Sequence, residues 1–76
     1  MDFATQLRVM RAARGLSQRE LAIAADIPEY SITWIESGRM LPTQEYEARI
    51  RAALNWPADA DEAFAILAGE KEKSHV

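Results

Sequence analysis

An all-α fold built from five helical segments is what this chain predicts, and three observations carry the prediction. Fourteen of the 76 residues are Ala, the strongest helix former. No four-residue stretch alternates as a strand does, and the β-branched residues are scattered. Gly15, Gly38 and Gly69, with Pro28, Pro42 and Pro57, cut the chain into pieces of helical length. One domain is expected over residues 1–69, followed by a charged, disordered tail over 70–76. A chain this short buries only about 60% of the surface its unfolded form exposes, so it needs an efficient core or a partner subunit.

The first segment runs from about Asp2 to Arg14. Phe3, Leu7, Met10 and Arg14 recur at helical spacing, and Gly15 can supply the left-handed residue that ends it. The second opens at Ser17, which forms an S-x-x-E capping box with Glu20. Leu21, Ala22 and Ala25 are its inner face. The third runs from about Pro28 to Glu36, with Ile32 and Ile35 inward and Gly38 beyond its end. Pro28 offers no capping side chain, but it suits a first helical turn. Thr43 opens the fourth, whose stripe is Ile50, Ala53 and Leu54, and Asn55 is its left-handed terminator. Gln44 and Glu47 leave the start of this helix more exposed. Trp56, just after the turn, is expected in the core, because bulky apolar groups stabilise mainly by burial. Asp59 and Glu62 make a D-x-x-E start for the fifth, which carries Phe64 and Leu67 until Gly69.

Composition excludes several classes of function. There are no cysteines, so disulfides and Cys-based zinc sites are ruled out. The one histidine, His75, lies in the tail. No glycine-rich phosphate loop, metal-ligand cluster or nucleophile–base arrangement is present, so neither an enzyme nor a cofactor or metal site is expected. No apolar run approaches the roughly 18–20 residues of a membrane span, and no signal peptide is visible. A cytoplasmic protein is expected, with no membrane partner and no small-molecule ligand.

The formal charge of −3 hides an asymmetry. Residues 1–54 carry seven Arg against two Asp and five Glu, which is neutral. Residues 55–76 carry two Lys against two Asp and three Glu, and hold the whole −3. The first nineteen residues alone carry four Arg and one Asp, a net +3. DNA binding responds to the local field at the contact face as well as to the whole-chain sum.

About three residues, Asp26, Ile27 and Pro28, separate the second and third segments. A connection that short fits a helix-turn-helix unit, and equally an αα-hairpin inside a generic bundle. The residue pattern is more specific. Arg11, Gly15, Leu16, Ser17, Gln18, Glu20, Leu21 and Ala22 follow R-x-x-x-G-L-S-Q-x-E-L-A. Ile32, Ile35, Glu36, Gly38, Arg39 and Pro42 then follow I-x-x-I-E-x-G-R-x-x-P. In these positions the chain resembles the lambda-repressor-like (Cro/XRE) helix-turn-helix family, over residues 3–67. The resemblance implies a compact five-helix DNA-binding domain whose helices 2 and 3 form the motif. Such domains are usually dimeric transcriptional regulators.

The same resemblance implies roles for individual residues. Gln18 would contact DNA from the first turn of helix 2, where backbone N–H groups and the helix dipole attract phosphate; its amide can also brace the next helix. Helix 3 would read the major groove through its outward residues, Glu29, Tyr30, Thr33 and Trp34. Ser17, Arg19, Ser37, Gly38 and Arg39 would meet the DNA backbone, with backbone amides of the loop after helix 3 taking part. Arg11 and Glu36 would form a partly buried structural ion pair. Arg8, Arg14, Arg49 and Arg51 are expected to be solvated on helix surfaces.

The reading helix departs from the common chemistry of the family. No Lys or Arg lies between Glu20 and Gly38. Glu29 accepts from cytosine N4 but repels phosphate. The expected function is a sequence-specific, repressor-like regulator that binds double-stranded DNA as a homodimer on a palindromic operator. Phe64, Ile66 and Leu67 of helix 5 are the expected dimer surface, with Phe64 or Ile66 exposed on a single chain. The alternative is a protein-interaction module on the same fold, using the aromatic face around Tyr30 and Trp34.

Overall fold

The computed structural model describes residues 1–57, 60, 63 and 64. Four helices run through this part of the chain: α1 (Phe3–Ala13), α2 (Gln18–Ala25), α3 (Glu29–Glu36) and α4 (Gln44–Ala53). No strand occurs among the described residues. Ala60, Ala63 and Phe64 are also helical. The expected helix start at Asp59 and Glu62, the positions Ile66 and Leu67, and the tail over 70–76 lie outside the described residues.

The helix starts follow from capping. Asp2 accepts from the Thr5 N–H at 2.9 Å, and that bond holds the Asp2 carboxyl below its ordinary pKa. Ser17 and Glu20 form the full reciprocal box, at 3.0 and 2.8 Å. Thr43 accepts from the Tyr46 N–H at 3.1 Å. Only α3 opens without a side-chain cap. Pro28 is its N-cap, in an extended conformation (ψ 144°), so it stands just outside the first helical turn rather than in it.

All four helices stop in the same way. A left-handed residue lets its own amide and the next one fold back onto the last turn. Gly15 and Gly38 take this role at φ 70° and 80°, where a side chain would be strained. Asn55 does so after α4 at φ 51°. After α2 the residue is Asp26 (φ 58°); the Asp26 N–H then donates to Ile23 O at 3.2 Å and the Ile27 N–H to Ala22 O at 3.0 Å. These bonds close the three-residue connection and carry Ile27 into the core.

Leu7, Leu21, Ile32, Ile35, Ile50 and Leu54 are fully buried at the centre. Helix α2 packs on both α3 and α4, and α1 packs on α3. Fully burying one such side chain contributes about 1.5–3 kcal/mol, so these six side chains are the main cohesive term. Trp56 closes the lower end as a half-buried lid. Its ring stacks on Phe3 (5.7 Å, 7°) and meets Phe64 edge-on (6.0 Å, 61°), while the Arg51 guanidinium lies 4.5 Å from its centroid. Phe64 is itself buried in the core of the single chain.

Candidate nucleic-acid interface

Helix α3 is divided cleanly into two faces. Ser31, Ile32, Ile35 and Glu36 are buried, and Glu29, Tyr30, Thr33 and Trp34 are exposed. Spacings of three and four put the exposed four on one stripe. Tyr30 and Trp34 remain 58% and 44% exposed and meet edge-to-face at 5.2 Å. They pack on each other and stay open to solvent.

A hydrogen-bonded chain of side chains lies beneath this stripe. Glu36 is buried, its side chain 3% exposed against 21% for Arg11. The Arg11 guanidinium grips it with both arms, Nε to Oε2 at 2.6 Å and Nη2 to Oε1 at 3.0 Å. These bonds raise the Arg11 pKa further. Arg11 Nη1 also donates to Leu16 O at 2.8 Å, tying α1 to the loop before α2. Gln18 Nε2 donates to Glu36 Oε1 at 3.0 Å, and Gln18 Oε1 accepts from the Thr33 hydroxyl at 2.8 Å. The Gln18 amide therefore braces α2 against α3. Any base contact it makes must use what remains, one N–H and one lone pair.

The arginines fall into two groups; the four expected on helix surfaces are exposed or partly exposed there, and each also has a protein partner. Arg8 donates to Glu36 O at 2.7 Å, at the end of α3. Arg14 donates to Leu54 O at 2.7 Å and Asn55 O at 3.0 Å, at the end of α4. Arg49 donates to Asp26 O at 3.0 Å, at the end of α2, and pairs with Glu45. Arg51 pairs with Glu47 and covers Trp56. The physical reason is common to the first three: the last carbonyls of a helix lack partners and carry its negative dipole end, so a guanidinium docks there. Arg8, Arg11 and Arg14 stand three residues apart on one helix. Among the described residues, Arg19 and Arg39 are the arginines with no intramolecular partner. One sits in the first turn of α2 and the other just after α3.

The two expected phosphate-binding loops differ in what they offer. In α2, the box satisfies the amides of Ser17 and Glu20, which leaves the first-turn N–H groups of Gln18 and Arg19 without a partner among the described residues. After α3, the expected backbone amides are taken. The Ser37 N–H donates to Thr33 O, that of Gly38 to Ile35 O and that of Arg39 to Trp34 O, at 3.0, 3.1 and 2.9 Å. The Ser37 hydroxyl donates to Trp34 O. They close the helix and are not directed at a ligand, so the Arg39 side chain is what that loop can present.

A family model described as a helix-turn-helix domain matches residues 2–63. The chain belongs to the helix-turn-helix domain family. Neither a curated protein nor a solved structure matches it. Family membership favours the helix-turn-helix over the hairpin of a generic bundle, and the three-residue connection between α2 and α3 is consistent with the motif. In such DNA-binding domains the second helix of the unit faces the groove, and here that helix carries the exposed stripe. No helix among the described residues is long and apolar enough to cross a membrane. No group of metal-ligating side chains occurs among them either.

Proposed function

We propose that this helix-turn-helix domain is a repressor-like transcriptional regulator of the lambda-repressor (Cro/XRE) type, working in the cytoplasm. It binds a palindromic operator as a homodimer and reads the major groove with Glu29, Tyr30, Thr33 and Trp34. One observation carries the reading: the two arginines left without a protein partner among the described residues, Arg19 and Arg39, lie in the first turn of α2 and just after α3. With the free amides of Gln18 and Arg19, they would supply anchors for a phosphate backbone.

One domain offers few base-reading side chains. A two-fold pair doubles them and sets two α3 helices about 34 Å apart, one turn of DNA. Helices α2 and α3 must stay free, so the partner surface belongs at the C-terminal end. Phe64 is already buried in its own chain. The pairing surface therefore falls to Ile66 and Leu67.

The exposed Tyr30–Trp34 pair supports a second reading, a protein-binding face on the same fold. Selection from random double-stranded oligonucleotides separates the two. The DNA reading expects an enriched palindrome and an affinity that falls steeply with salt as counterions are released. A protein interface expects no enrichment and little salt dependence, and that result would overturn the DNA reading.

A further inference from the structure

We infer that the reading face accepts hydrogen bonds at two positions, so that Thr33 and Glu29 select bases carrying an exocyclic amino group, adenine or cytosine, on the strand each touches. The inference rests on the DNA-binding reading and narrows it to a base chemistry.

The argument follows one proton direction through four side chains. Glu36, held by Arg11 on both oxygens, is a carboxylate and can only accept. Gln18 must therefore turn its NH2 group toward it, as the 3.0 Å contact from Nε2 to Oε1 shows. The reverse orientation would set two oxygens against each other. With the amino group facing Glu36, the amide oxygen faces Thr33. That oxygen has no proton to give, so the Thr33 hydroxyl donates across the 2.8 Å contact. A hydroxyl has one proton. Its other near acceptor, Glu29 O at 3.4 Å, is long for such a bond and also belongs to the protein. Thr33 thus presents lone pairs and a methyl group to the groove, and no proton.

One turn earlier, Glu29 is exposed and presents a carboxylate, again an acceptor only. Helix α3 contains no Lys, Arg, Asn or Gln, the side chains that donate to guanine O6 and N7 or pair with adenine. In the major groove adenine offers N6–H2 and cytosine N4–H2, whereas guanine and thymine offer only acceptors and, on thymine, a methyl group. An acceptor-only side chain therefore discriminates adenine from guanine and cytosine from thymine. Tyr30, Trp34 and Gln18 keep donors of their own, so the inference concerns the two positions met by Thr33 and Glu29.

The test uses the full chain and the sites recovered by oligonucleotide selection. Thr33→Val and Glu29→Gln are exposed changes; the base pair at which each loses preference locates its contact. At those positions purine replaces adenine, or 2-pyrimidinone replaces cytosine, which removes only the amino group; 7-deazaadenine removes only N7. Loss of the amino group is expected to weaken wild-type binding about tenfold, the equivalent of ~1.4 kcal/mol. Loss of N7 changes it little. Thr33→Val is expected to be indifferent to amino removal at its own position, and Thr33→Ser to keep the preference. Selection of guanine or thymine there, dependence on N7, or variants that shift no preference would each overturn the inference while leaving DNA binding intact. If no sequence is enriched, the DNA reading itself fails and this inference falls with it.

Discussion

Replacing Arg11 by Ala leaves the buried Glu36 carboxylate with Gln18 as its remaining side-chain donor. The magnitude can be worked from ordinary acid–base chemistry. The orphaned group can either stay charged in a low-dielectric site or take up a proton. Neutralising a carboxyl of ordinary acidity, near 4.3, at pH 7 costs about 3.7 kcal/mol at 1.36 kcal/mol per pH unit. That agrees with the ~3–5 kcal/mol typical of breaking one side of a buried pair. At pH 5 the same cost falls to about 1 kcal/mol. The sign follows from linkage. In the variant the buried carboxyl favours its neutral form, so the folded state binds more protons than the unfolded one, and the penalty grows as pH rises above about 4.3. Glu36→Ala is expected to be milder, because Arg11 is partly exposed, can be hydrated and keeps its bond to Leu16 O. The double variant removes the orphaned charge and should be more stable than Arg11→Ala alone at pH 7. Urea melts followed by circular dichroism at pH 7 and pH 5 read all of this. An Arg11→Ala penalty that does not shrink at pH 5, or a double variant no better than the single, would refute the reasoning.

Two further outcomes follow from the division of the arginines. Arg19→Ala and Arg39→Ala are each expected to lower the slope of log affinity against log salt by about 1 with the fold intact. Arg8→Ala and Arg49→Ala should instead lower the urea midpoint and leave that slope unchanged; the opposite assignment in salt titrations would show that the wrong arginines face DNA. Arg14→Ala removes two bonds to the end of α4 and is expected to cost about 1.5–3 kcal/mol, as for hydrogen bonds to charged groups; an unchanged melt would mean that water replaces both.

The local code of the fold was legible because each signal acts on its own neighbours. Ser17 and Glu20 cap α2 through residues three apart, and Gly15, Gly38 and Asn55 end helices through their own backbone angles. Asp26 was not recognised as a left-handed terminator. Its short side chain tolerates that region, but Asp is far commoner in other conformations. The inner stripe of α3 followed from helical periodicity, and with it the outer stripe. The fate of the arginines was not legible. A guanidinium on α1 finds a carbonyl 28 or 40 residues away only once the chain has folded. The same holds for Gln18. Its place in the first turn of α2 was readable, but its commitment to Glu36 and Thr33 depends on how α2 and α3 pack. Counting apolar residues in the fifth segment could not say which one the core takes; the structure buries Phe64, edge-on to Trp56, a contact that forms only in the folded chain.

These commitments bear on how an acidic chain can hold DNA. Three of the seven arginines are paired with carboxylates, and Arg8 and Arg14 are docked on helix-end carbonyls, so their side chains are held in place by the protein. What remains is local: two guanidinium groups, and two orphan amides where the dipole of α2 points outward. The net −3 of residues 55–76 lies at the other end of the sequence from the arginine-rich start. In the proposed complex, Glu29 would add a negative charge beside the groove, opposing phosphate at every sequence but offset where an amino group meets it. Such a face favours discrimination over non-specific grip. With so few phosphate contacts per chain, the proposed homodimer would double the face by symmetry. In that reading, a second copy compensates for the arginines used to build the domain.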